Sequence, residues 1–597
     1  MELLNLDGVI EKGVFEIPSY QRGYAWQERQ LKDFWNDLEH VSKLGDKFHY
    51  MHSLTLRELE NDFENSAFEI IDGQQRLATS LILLGLLAKI TQNKDPKYSL
   101  INLEPILSYK YYGLSEAFRA ITEEEKDLEA FKTSFYAKNL IDAYAFFKEK
   151  ISDTPVGTLE KMFDALIKKM LFSVVGLNDN RIDPFSSFET INNRGKDLST
   201  LELFKNRLHF VAHKICDEGD LENLQNEIND TYTRIYHNLR FFKDDHLEDF
   251  LKYFVAYYYG EKRDFKERLL NTAFDAHKKY DDLYDEYEKI NDLLLHLSYS
   301  SKVWYFLHTL DDEELRIEIT PKMRDLLDKM RRLNALSYNA FLPLLLSLLT
   351  IQLAVRSGSE RHYTTKELEG LLEYLERFGF LIYGVADGKK TAKNEWIELA
   401  FKAIQAYRFW GDKITIEDLP TLEKNFFKGK YSGLELLEES IHSKKNAEKW
   451  YGWSKALNYL LYEYELCHNP ETTLNFDSSI ESIEHILPQK PDQGYSAKEK
   501  NWAKNPHIVH ALGNLLLIPK NANSSLSNKP FDEKRKEYLK GSYSEKEVAK
   551  NASFGVVQIK ERSEKLLDFL IARYRIAELV DESTIQAFKN ALLKDIK

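Results

Sequence analysis

Two neighbouring residues near the C-terminal end of the chain, Glu484 and His485, combine a carboxylate with an imidazole. An imidazole titrates close to neutrality and can take a proton from water, whereas carboxylate and amide oxygens are ligands that Mg²⁺ or Mn²⁺ accepts. Asn514 follows a glycine and opens an apolar run, and Asn523 lies nine residues further on. We therefore expect His485 to be a general base and Glu484 with Asn523 to hold one divalent cation. Hydrolysis of a phosphodiester requires these parts.

A hairpin of two strands followed by a helix would have to position these residues. The apolar run Leu515–Ile518 is typical of the second strand, and Asn514, directly before it, would tie the loop that aims the imidazole. The same residues also have a structural interpretation. In that alternative His485 is a buried histidine with satisfied hydrogen bonds, and the asparagines are turn and cap residues.

A second group of polar residues lies near the N-terminus, where the segment Asp72–Arg76 reads Asp-Gly-Gln-Gln-Arg between a predicted strand and a predicted helix. A helix N-terminus offers free backbone N–H groups and the positive end of a dipole, which together favour an anion such as phosphate. Gly73 would let the backbone approach a phosphate, Arg76 could pair with it, and Asp72 could hold a metal or orient a water. The alternative is a variant capping box between Asp72 and Gln75 without a ligand.

Two further polar clusters follow predicted strands or turns in the same region. Residues 17–26 read Ile-Pro-Ser-Tyr-Gln-Arg-Gly-Tyr-Ala-Trp, so that Arg22 is flanked by aromatic residues. Two arginine-bearing strand ends in one small domain suggest a shared polyanionic ligand. Residues 188–199 contain a glycine turn and leave Asn192 and Arg194 as spare polar groups.

The chain resembles the N-terminal half of GmrSD-type restriction proteins in three motifs. They are Ile-Pro-x-Tyr-Gln-Arg-x-Tyr-x-Trp at 17–26, Asp-Gly-Gln-Gln-Arg-Leu-x-Thr at 72–79, and Asn-x-Arg-Gly-x-x-Leu-Ser-x-x-Glu-Leu-x-Lys-Asn at 192–206. The resemblance implies a ParB/sulfiredoxin-like fold, nucleotide binding with nucleoside triphosphate hydrolysis, and a part in sensing modified DNA. One departure is that Met51-His52-Ser53 stands where such proteins usually carry a glycine, which bears on the pocket and on nucleotide preference. The residues implied around the nucleotide are Tyr20, Gln21, Arg22, Asp72, Gly73, Gln74, Gln75 and Arg76, to which we add Asn192 and Arg194.

The C-terminal residues look like a His-Me finger (HNH-type) nuclease in the variant that is fused to such an N-terminal domain. The motifs are Ile-Glu-His-Ile-x-Pro-Gln at 483–489, Leu-Gly-Asn-Leu at 512–515 and Asn-x-x-x-x-Asn-Lys-x-Phe-x-x-Lys at 523–534. Asparagine replaces the last histidine of the commoner HNH pattern, as it does in that variant, so this departure does not indicate inactivity. Lys534 matches a family position and could contact a DNA phosphate, although the run Lys534–Lys536 is also typical of a solvated helix face.

Composition and charge limit the classes of protein that are possible. The chain has 597 residues and a formal net charge of −14, so any contact with nucleic acid must rest on local basic surfaces. Cys216 and Cys467 form neither a disulfide framework nor a zinc spacing, and the N-terminus lacks a signal peptide. The apolar run Ala340–Val355 is shorter than the roughly 20 residues of a membrane span and predicts a buried core helix. We expect a cytoplasmic protein without a membrane partner.

The predicted fold class is a multidomain α+β chain that is mostly helical. Residues 1–212 are expected to form a ParB-like nucleotide-binding or sensor domain, residues 213–468 a helical domain, and residues 469–597 a nuclease domain with a ββα-metal core and surrounding helices. The local predictions are strands at 14–18, 54–56, 68–71 and 171–175, a helix at 77–90, almost only helix from 215 to 465, and a capping box between Ser199 and Glu202.

The leading interpretation is a modification-dependent DNA endonuclease or nickase of bacterial anti-phage defence, regulated by nucleoside triphosphate binding or hydrolysis in the N-terminal domain. The expected partners are double-stranded DNA, in particular modified phage DNA, a nucleoside triphosphate, and Mg²⁺ or Mn²⁺; a homodimer is left open. One alternative is a nucleotide-binding regulatory or scaffold protein with an inactive nuclease fold. Another is an RNA-directed nuclease, because one-metal histidine chemistry does not itself distinguish the sugars.

Overall fold

The fold is that of a computed structural model of the chain. The structure describes residues 2–596 except 60–65, 94, 100–105, 111–112, 178–197, 241, 243, 276–277, 281, 314, 334–337, 356–361, 386–391, 410, 423–448, 475–479 and 492–493. The chain divides into two compact units, Met1–Leu315 and Arg316–Lys597. The three-domain division stays a prediction, and each unit is described by itself below.

The first unit contains a six-stranded mixed sheet. Its strands are β1 Glu2–Asn5, β2 Val14–Ile17, β3 His49–Leu59, β4 Ala67–Asp72, β5 Leu107–Tyr109 and β6 Met170–Gly176. Their order across the sheet is β1-β6-β3-β4-β2-β5. Strand β2 pairs in parallel with β4 and β5, and β3 in parallel with β6, whereas β1 with β6 and β3 with β4 are antiparallel. The four strands predicted from the sequence are confirmed.

Eleven α-helices are described in the first unit, besides short 3-10 and π-helical turns. They are α1 Leu6–Lys12, α2 Glu28–Ser42, α3 Gln74–Ile90, α4 Leu114–Thr122, α5 Phe135–Ser152, α6 Val156–Lys169, α7 Thr200–Ile215, α8 Glu218–Asn238, α9 Asp244–Tyr259, α10 Phe265–Glu267 and α11 Leu283–Thr309. Helix α3 carries apolar residues on every side and is buried along nearly its whole length, because it packs on α5 and α6. It begins three residues before the predicted start at Leu77. The predicted capping box at the start of α7 is confirmed, with Ser199 and Glu202 bonded to each other's backbone N–H.

The second unit is helical apart from one hairpin within its described part. Its helices are α12 Pro321–Arg332, α13 Tyr338–Ala354, α14 Thr365–Phe378, α15 Lys393–Arg408, α16 Ser454–His468, α17 Ala497–Ala503, α18 Pro506–Val509, α19 Lys520–Leu526, α20 Phe531–Tyr538, α21 Tyr543–Ala549, α22 Val556–Arg573 and α23 Glu582–Leu593. The hairpin strands are β7 Glu481–His485 and β8 Leu515–Pro519. Between residues 215 and 465 the described residues contain helices and no strand, as predicted.

The apolar run predicted as a buried core helix is α13. The polar residues that interrupt it are buried and bonded: the Ser347 hydroxyl donates to the carbonyl of Ala400, and the Gln352 amide bonds both backbone groups of Tyr363. These bonds remove the cost of placing polar side chains in a packed interior. Within the described residues, no helix is long and apolar enough to cross a bilayer.

An arginine of helix α14 bonds the C-terminal end of helix α22. The guanidinium of Arg377, on α14, donates to the carbonyls of Tyr574 and Arg575, both at 2.6 Å, at the C-terminal end of α22. Arg573, in the last turn of α22, pairs with the fully buried carboxylate of Glu376 at 3.1 Å. Cations at a helix C-terminus satisfy the free carbonyls and the negative end of the dipole. The end of α22 is therefore fixed to the helical part of its own unit.

Candidate functional site

A two-stranded hairpin followed by a helix carries the C-terminal candidate residues. Strand β7 pairs with β8 in an antiparallel register that sets His485 opposite Leu515 and Glu484 opposite Leu516. Helix α19 follows β8 directly and carries Asn523. The structure therefore has the order of strand, strand and helix that the sequence predicts.

His485 lies buried at the end of β7, where a second histidine contacts it. Its Nε2 is 3.0 Å from Nδ1 of His510, its Nδ1 is 3.4 Å from Nε2 of Gln489, and its ring centroid is 4.7 Å from that of Tyr451. Burial, and after it the charges of the nearby His510 and Lys534, lower the pKa of His485 to about 3. The ring is therefore uncharged at neutral pH and can accept a proton, but it is a weaker base here than the near-neutral imidazole that the sequence analysis expects.

Asn514 ties together the two chain segments on either side of this histidine. It is fully buried; its Oδ1 accepts from the N–H of Leu487 at 2.8 Å, and its Nδ2 donates to the carbonyls of Leu487 and Val509 at 2.9 and 2.7 Å. Its own carbonyl accepts from the N–H of Ile486 at 3.0 Å. Asn514 thus fixes the loop that leaves His485, the geometry that the sequence analysis expects of it.

Helix α22 holds the turn that carries Asn514. Ser563 accepts from the N–H of Gly513 at 2.8 Å, and Arg562 donates to the carbonyls of Gly513 and Leu515 at 2.9 and 2.7 Å. A Cβ on Gly513 would lie 2.0 Å from the carbonyl oxygen of Ile559, so only glycine fits between the turn and the helix. The sequence analysis missed Arg562, because no local spacing links it to a turn about 50 residues earlier.

Glu484 and Asn523 each leave an oxygen toward a further partner. Both side-chain hydrogen bonds to Glu484, from Lys534 and from Tyr538 at 3.0 Å, end on Oε1. Oε2 receives no side-chain hydrogen bond from a residue that the structure describes. Asn523 uses its Nδ2, which donates to the Ser482 hydroxyl at 2.8 Å, and its Oδ1 stays an acceptor. Burial raises the pKa of Glu484, although the ammonium of Lys534 opposes that rise.

Carboxylate and amide oxygens are of the type that binds a hard cation which keeps several of its waters. Among the described residues there is no group of three or more His, Cys, Asp or Glu side chains that could hold a metal ion. Mg²⁺ is commonly bound through one or two protein oxygens together with waters and phosphate oxygens. Glu484 and Asn523 would supply two such oxygens. The described residues do not form a site in which protein side chains alone fill the coordination sphere.

Lys534 does not lie where the sequence analysis places it. Its side chain is 0% exposed, and its ammonium donates to the Glu484 carboxylate and to the carbonyl of His485 at 2.8 Å. The solvated position predicted as the alternative is therefore wrong for this lysine. The contact with a DNA phosphate stays a prediction, and it would require the ammonium to leave its pair with Glu484. Phe531, Lys534 and Tyr538 form the buried face of α20. Their spacing of three and four residues is the helical signal that would have predicted an internal lysine.

In the first unit, two of the N-terminal motifs meet in one junction. Gln75 accepts from the N–H of Ala25 at 2.8 Å through Oε1 and donates to the carbonyl of Gly23 at 2.9 Å through Nε2. Gln74 donates to the carbonyl of Arg22 at 3.0 Å. The amides at the start of α3 therefore hold the backbone of the 17–26 motif in place.

The start of α3 is set by backbone geometry. Gly73 has a φ of 99° and caps α3 without a side-chain hydrogen bond, so the alternative of a capping box between Asp72 and Gln75 is wrong. A Cβ on Gly73 would lie 2.9 Å from the carbonyl oxygen of Ser53, which explains the glycine through contact with β3. Arg76 pairs with Asp72 at 3.1 Å and donates to the carbonyl of Ser53 at 2.7 Å.

Several buried polar atoms of the junction have no hydrogen-bond partner among the residues that the structure describes. Gln21 donates through Nε2 to the carbonyl of Ile71 at 3.2 Å, but its Oε1 has no hydrogen bond to a described residue. The same holds for Oε1 of Gln74 and Nε of Arg76. Buried polar atoms are normally paired, so unpaired ones call for a water or a ligand. Two acceptors and one donor at this junction can therefore form hydrogen bonds to a polar molecule.

A cavity of about 440 Å³ lies beside Tyr20 and is also lined by Pro18 and Ser19 of the same loop. Its lining includes Arg57 with its ion-pair partner Glu69, as well as Lys110 and His209. Burial raises the pKa of Tyr20 and of Glu69. This volume lies within the range of small-molecule sites. Arg22 is buried in the junction itself.

Two predicted nucleotide contacts, Asn192 and Arg194, lie outside the described residues. The departure at Met51-His52-Ser53 is described. His52 has a φ of 64°, in the left-handed region, at a register shift in the pairing of β3 with β6 between Tyr50 and Ser53. This conformation favours glycine, which is the residue that similar proteins usually carry in this segment. His52 therefore occupies a backbone position that suits a glycine.

Comparison with known protein families places two enzyme domains on the chain. Residues 3–209 match the N-terminal domain of the GmrSD restriction endonuclease, and residues 438–569 match the C-terminal domain of GmrSD restriction endonucleases. The two matches together cover more than half of the chain, and the chain belongs to the GmrSD-type restriction proteins. It is accordingly a restriction endonuclease of phage defence, with DNA as the substrate. Among curated proteins, none matches the chain.

Proposed function

We propose that the chain is a modification-dependent DNA endonuclease or nickase with a metal-dependent nuclease centre in the C-terminal unit and a nucleoside triphosphate site in the N-terminal unit. One observation carries the nuclease half of the proposal. The imidazole of His485, the carboxylate of Glu484 and the amide oxygen of Asn523 belong to one hairpin and its helix, and Asn514 holds the loop that leaves His485.

His485 would act as the general base in phosphodiester hydrolysis. Its uncharged ring accepts a proton from a water, the water oxygen forms a bond to phosphorus, and the bond from phosphorus to the leaving sugar oxygen breaks. Glu484 and Asn523 would hold Mg²⁺ or Mn²⁺, which when bound neutralises charge on the phosphate and on the leaving oxygen. Asn514 and α22 keep the ring in place, so that little reorganisation accompanies the reaction.

The nucleotide half of the proposal rests on the N-terminal junction. The start of the 17-residue helix α3 offers a positive dipole end, and Gln21, Gln74 and Arg76 leave buried polar atoms unpaired there. The cavity beside Tyr20 supplies additional volume on the same loop. We infer that a nucleoside triphosphate binds and is hydrolysed here, and that this event regulates cleavage of modified phage DNA.

The test is cleavage of unmodified plasmid and of modified phage DNA by the wild type and by His485→Ala, with Mg²⁺ and with or without nucleoside triphosphates. We expect His485→Ala to cut about 10²–10⁴-fold more slowly, because general-base catalysis contributes about that much. The control is an unchanged unfolding temperature. Nucleotide-dependent cutting by the wild type would support the regulation.

Two results would contradict the proposal. If a folded wild-type protein cuts no DNA, a regulatory or scaffold role becomes the better interpretation, unless RNA is cut. If cleavage is the same with and without nucleotide on both DNA substrates, the regulatory link fails while the nuclease assignment stands.

A further inference from the structure

A second histidine, His510, lies against the base of the proposed nuclease and has no part in the mechanism above. It directly follows helix α18 and precedes the turn that carries Asn514. Its Nδ1 is 3.0 Å from Nε2 of His485, and the two rings are nearly perpendicular, at 77°. A hydrogen bond to one ring nitrogen decides which nitrogen carries the proton, and thereby which one can act as a base.

An aromatic residue fixes this pair of rings. Tyr451 stacks on His510 with a centroid distance of 5.6 Å and an interplanar angle of 19°, and its ring is 4.7 Å from the ring of His485. The contacts with Tyr451 and between the two imidazoles restrict rotation of both rings. The short distance between their nitrogens is therefore maintained by the surrounding side chains.

The hydrogen-bond partners of His485 define its tautomer. The amide nitrogen of Gln489, 3.4 Å from Nδ1 of His485, is a donor, so Nδ1 must accept. In the neutral ring the proton then lies on Nε2, which donates to Nδ1 of His510. His510 in turn carries its own proton on Nε2.

We propose that His510 is a positioning residue of the nuclease centre. It accepts a hydrogen bond from Nε2–H of His485 and so keeps the lone pair on Nδ1, which bonds the Gln489 amide in this structure and takes a proton from the attacking water once that water replaces the amide. This inference rests on the proposed function, because it assigns His485 as the base. The proton that leaves the water arrives at Nδ1 of His485. His510 contacts neither the DNA nor the water in this step.

The experiment compares His510→Ala and His510→Gln with a replacement of His507, His507→Ala. His507 is a partly exposed histidine on the short helix α18, which ends just before His510. Cleavage of plasmid DNA with Mg²⁺ gives kcat and KM, and thermal unfolding reports stability. We expect His510→Ala to lower kcat about 10–100-fold, the usual effect of removing a residue that orients a functional histidine, with KM unchanged. His510→Gln, which keeps an acceptor, and added imidazole should each restore part of the rate, and His507→Ala should cut normally.

A direct readout of the tautomer separates this inference from the proposed function. Nitrogen chemical shifts of ¹⁵N-histidine in the full chain should place the His485 proton on Nε2 in the wild type. In His510→Ala they should show a mixture of the two neutral tautomers, with the proton on Nε2 in some molecules and on Nδ1 in others. A proton on Nδ1 in the wild type overturns the inference whether or not the protein cuts DNA. Cleavage by His510→Ala at the wild-type rate also overturns the inference. The same holds if the cleavage rate falls only in proportion to a lowered unfolding temperature and neither His510→Gln nor imidazole restores it. Failure of the wild type to cut overturns the proposed function and the inference with it.

Discussion

The C-terminal hairpin and the N-terminal junction use their motif residues differently. In the hairpin, one buried amide, Asn514, holds the backbone, and the imidazole of His485 stays available for chemistry. In the junction, the amides of Gln21, Gln74 and Gln75 all bond backbone groups. A motif of polar residues therefore contains side chains that stabilise the backbone as well as side chains that can react. Only their hydrogen-bond partners show which role each residue has.

The comparison also shows where a ligand has room. In the hairpin, the two oxygens that the proposal assigns to a small cation lie on different side chains, those of Glu484 and Asn523. The junction leaves single unpaired atoms on side chains whose other ends are bonded, which suits a larger polar ligand that contacts several groups at once. The predictions below test this distinction, from the largest expected effect to the smallest.

Replacing Lys534 by Met should give the largest loss of stability. The change leaves the Glu484 carboxylate buried without its cation, and breaking a buried pair in this way costs about 3–5 kcal/mol. Urea unfolding would measure the loss, with the exposed Lys536→Met as the control. DNA affinity should keep its dependence on salt concentration; a slope reduced by about one would instead mark Lys534 as a phosphate contact.

Gln75→Ala should destabilise the N-terminal unit by about 2–4 kcal/mol, because the buried N–H of Ala25 and the carbonyl of Gly23 lose their partner. Gln74→Ala, which removes one such bond, should cost less. Urea unfolding followed through the fluorescence of Trp26 and its neighbours would compare them. If Gln75→Ala is as stable as the wild type but fails to bind nucleotide, the glutamine is a ligand contact and the comparison above is wrong.

Acid should destabilise the C-terminal unit through His485. Its pKa is about 3 in the folded state against an ordinary 6.5, so between these values the unfolded chain binds a proton that the folded chain does not. The free energy of unfolding should therefore fall below about pH 6.5, by about 2–3 kcal/mol at pH 4.5 from this group. His485→Gln should show a correspondingly shallower pH dependence. Equal slopes for the two proteins would mean that the ring is not buried in this way.

His52→Gly should stabilise the N-terminal unit slightly. Glycine adopts the left-handed conformation without the steric cost that a side chain carries, and we expect a gain of about 1 kcal/mol. His52→Ala keeps the Cβ and should give no such gain. A loss of stability in His52→Gly would show that the contact of His52 with the ring of Tyr50 outweighs its backbone strain.

Local patterns predicted much of this fold. Alternating and apolar runs identified four of the six strands around the N-terminal motifs, and the spacing of Glu484, Asn514 and Asn523 predicted the hairpin with its helix. These features depend on neighbours in the chain, which a sequence displays directly. The roles of the named residues in binding and catalysis stay predictions.

Partners that are distant in the chain could not be predicted in the same way. His510 lies 25 residues from His485, and Arg562 lies about 50 residues from the turn that it holds. Their contacts result from packing of the whole unit, and nothing in their own surroundings marks them. Lys534 differs, since its spacing from Phe531 and Tyr538 already indicated a buried face.

Helix α22 connects the loop beside His485 to the helical part of the C-terminal unit as a rigid rod. Its 18 residues extend about 27 Å, with Arg562 holding the turn of Asn514 near the middle and Arg377 gripping the C-terminal carbonyls. A helix resists bending and stretching far more than a loop does. A displacement of α14 would thus be transmitted along α22 to the turn that carries Asn514. The orientation of the His485 ring would then depend on the position of α14.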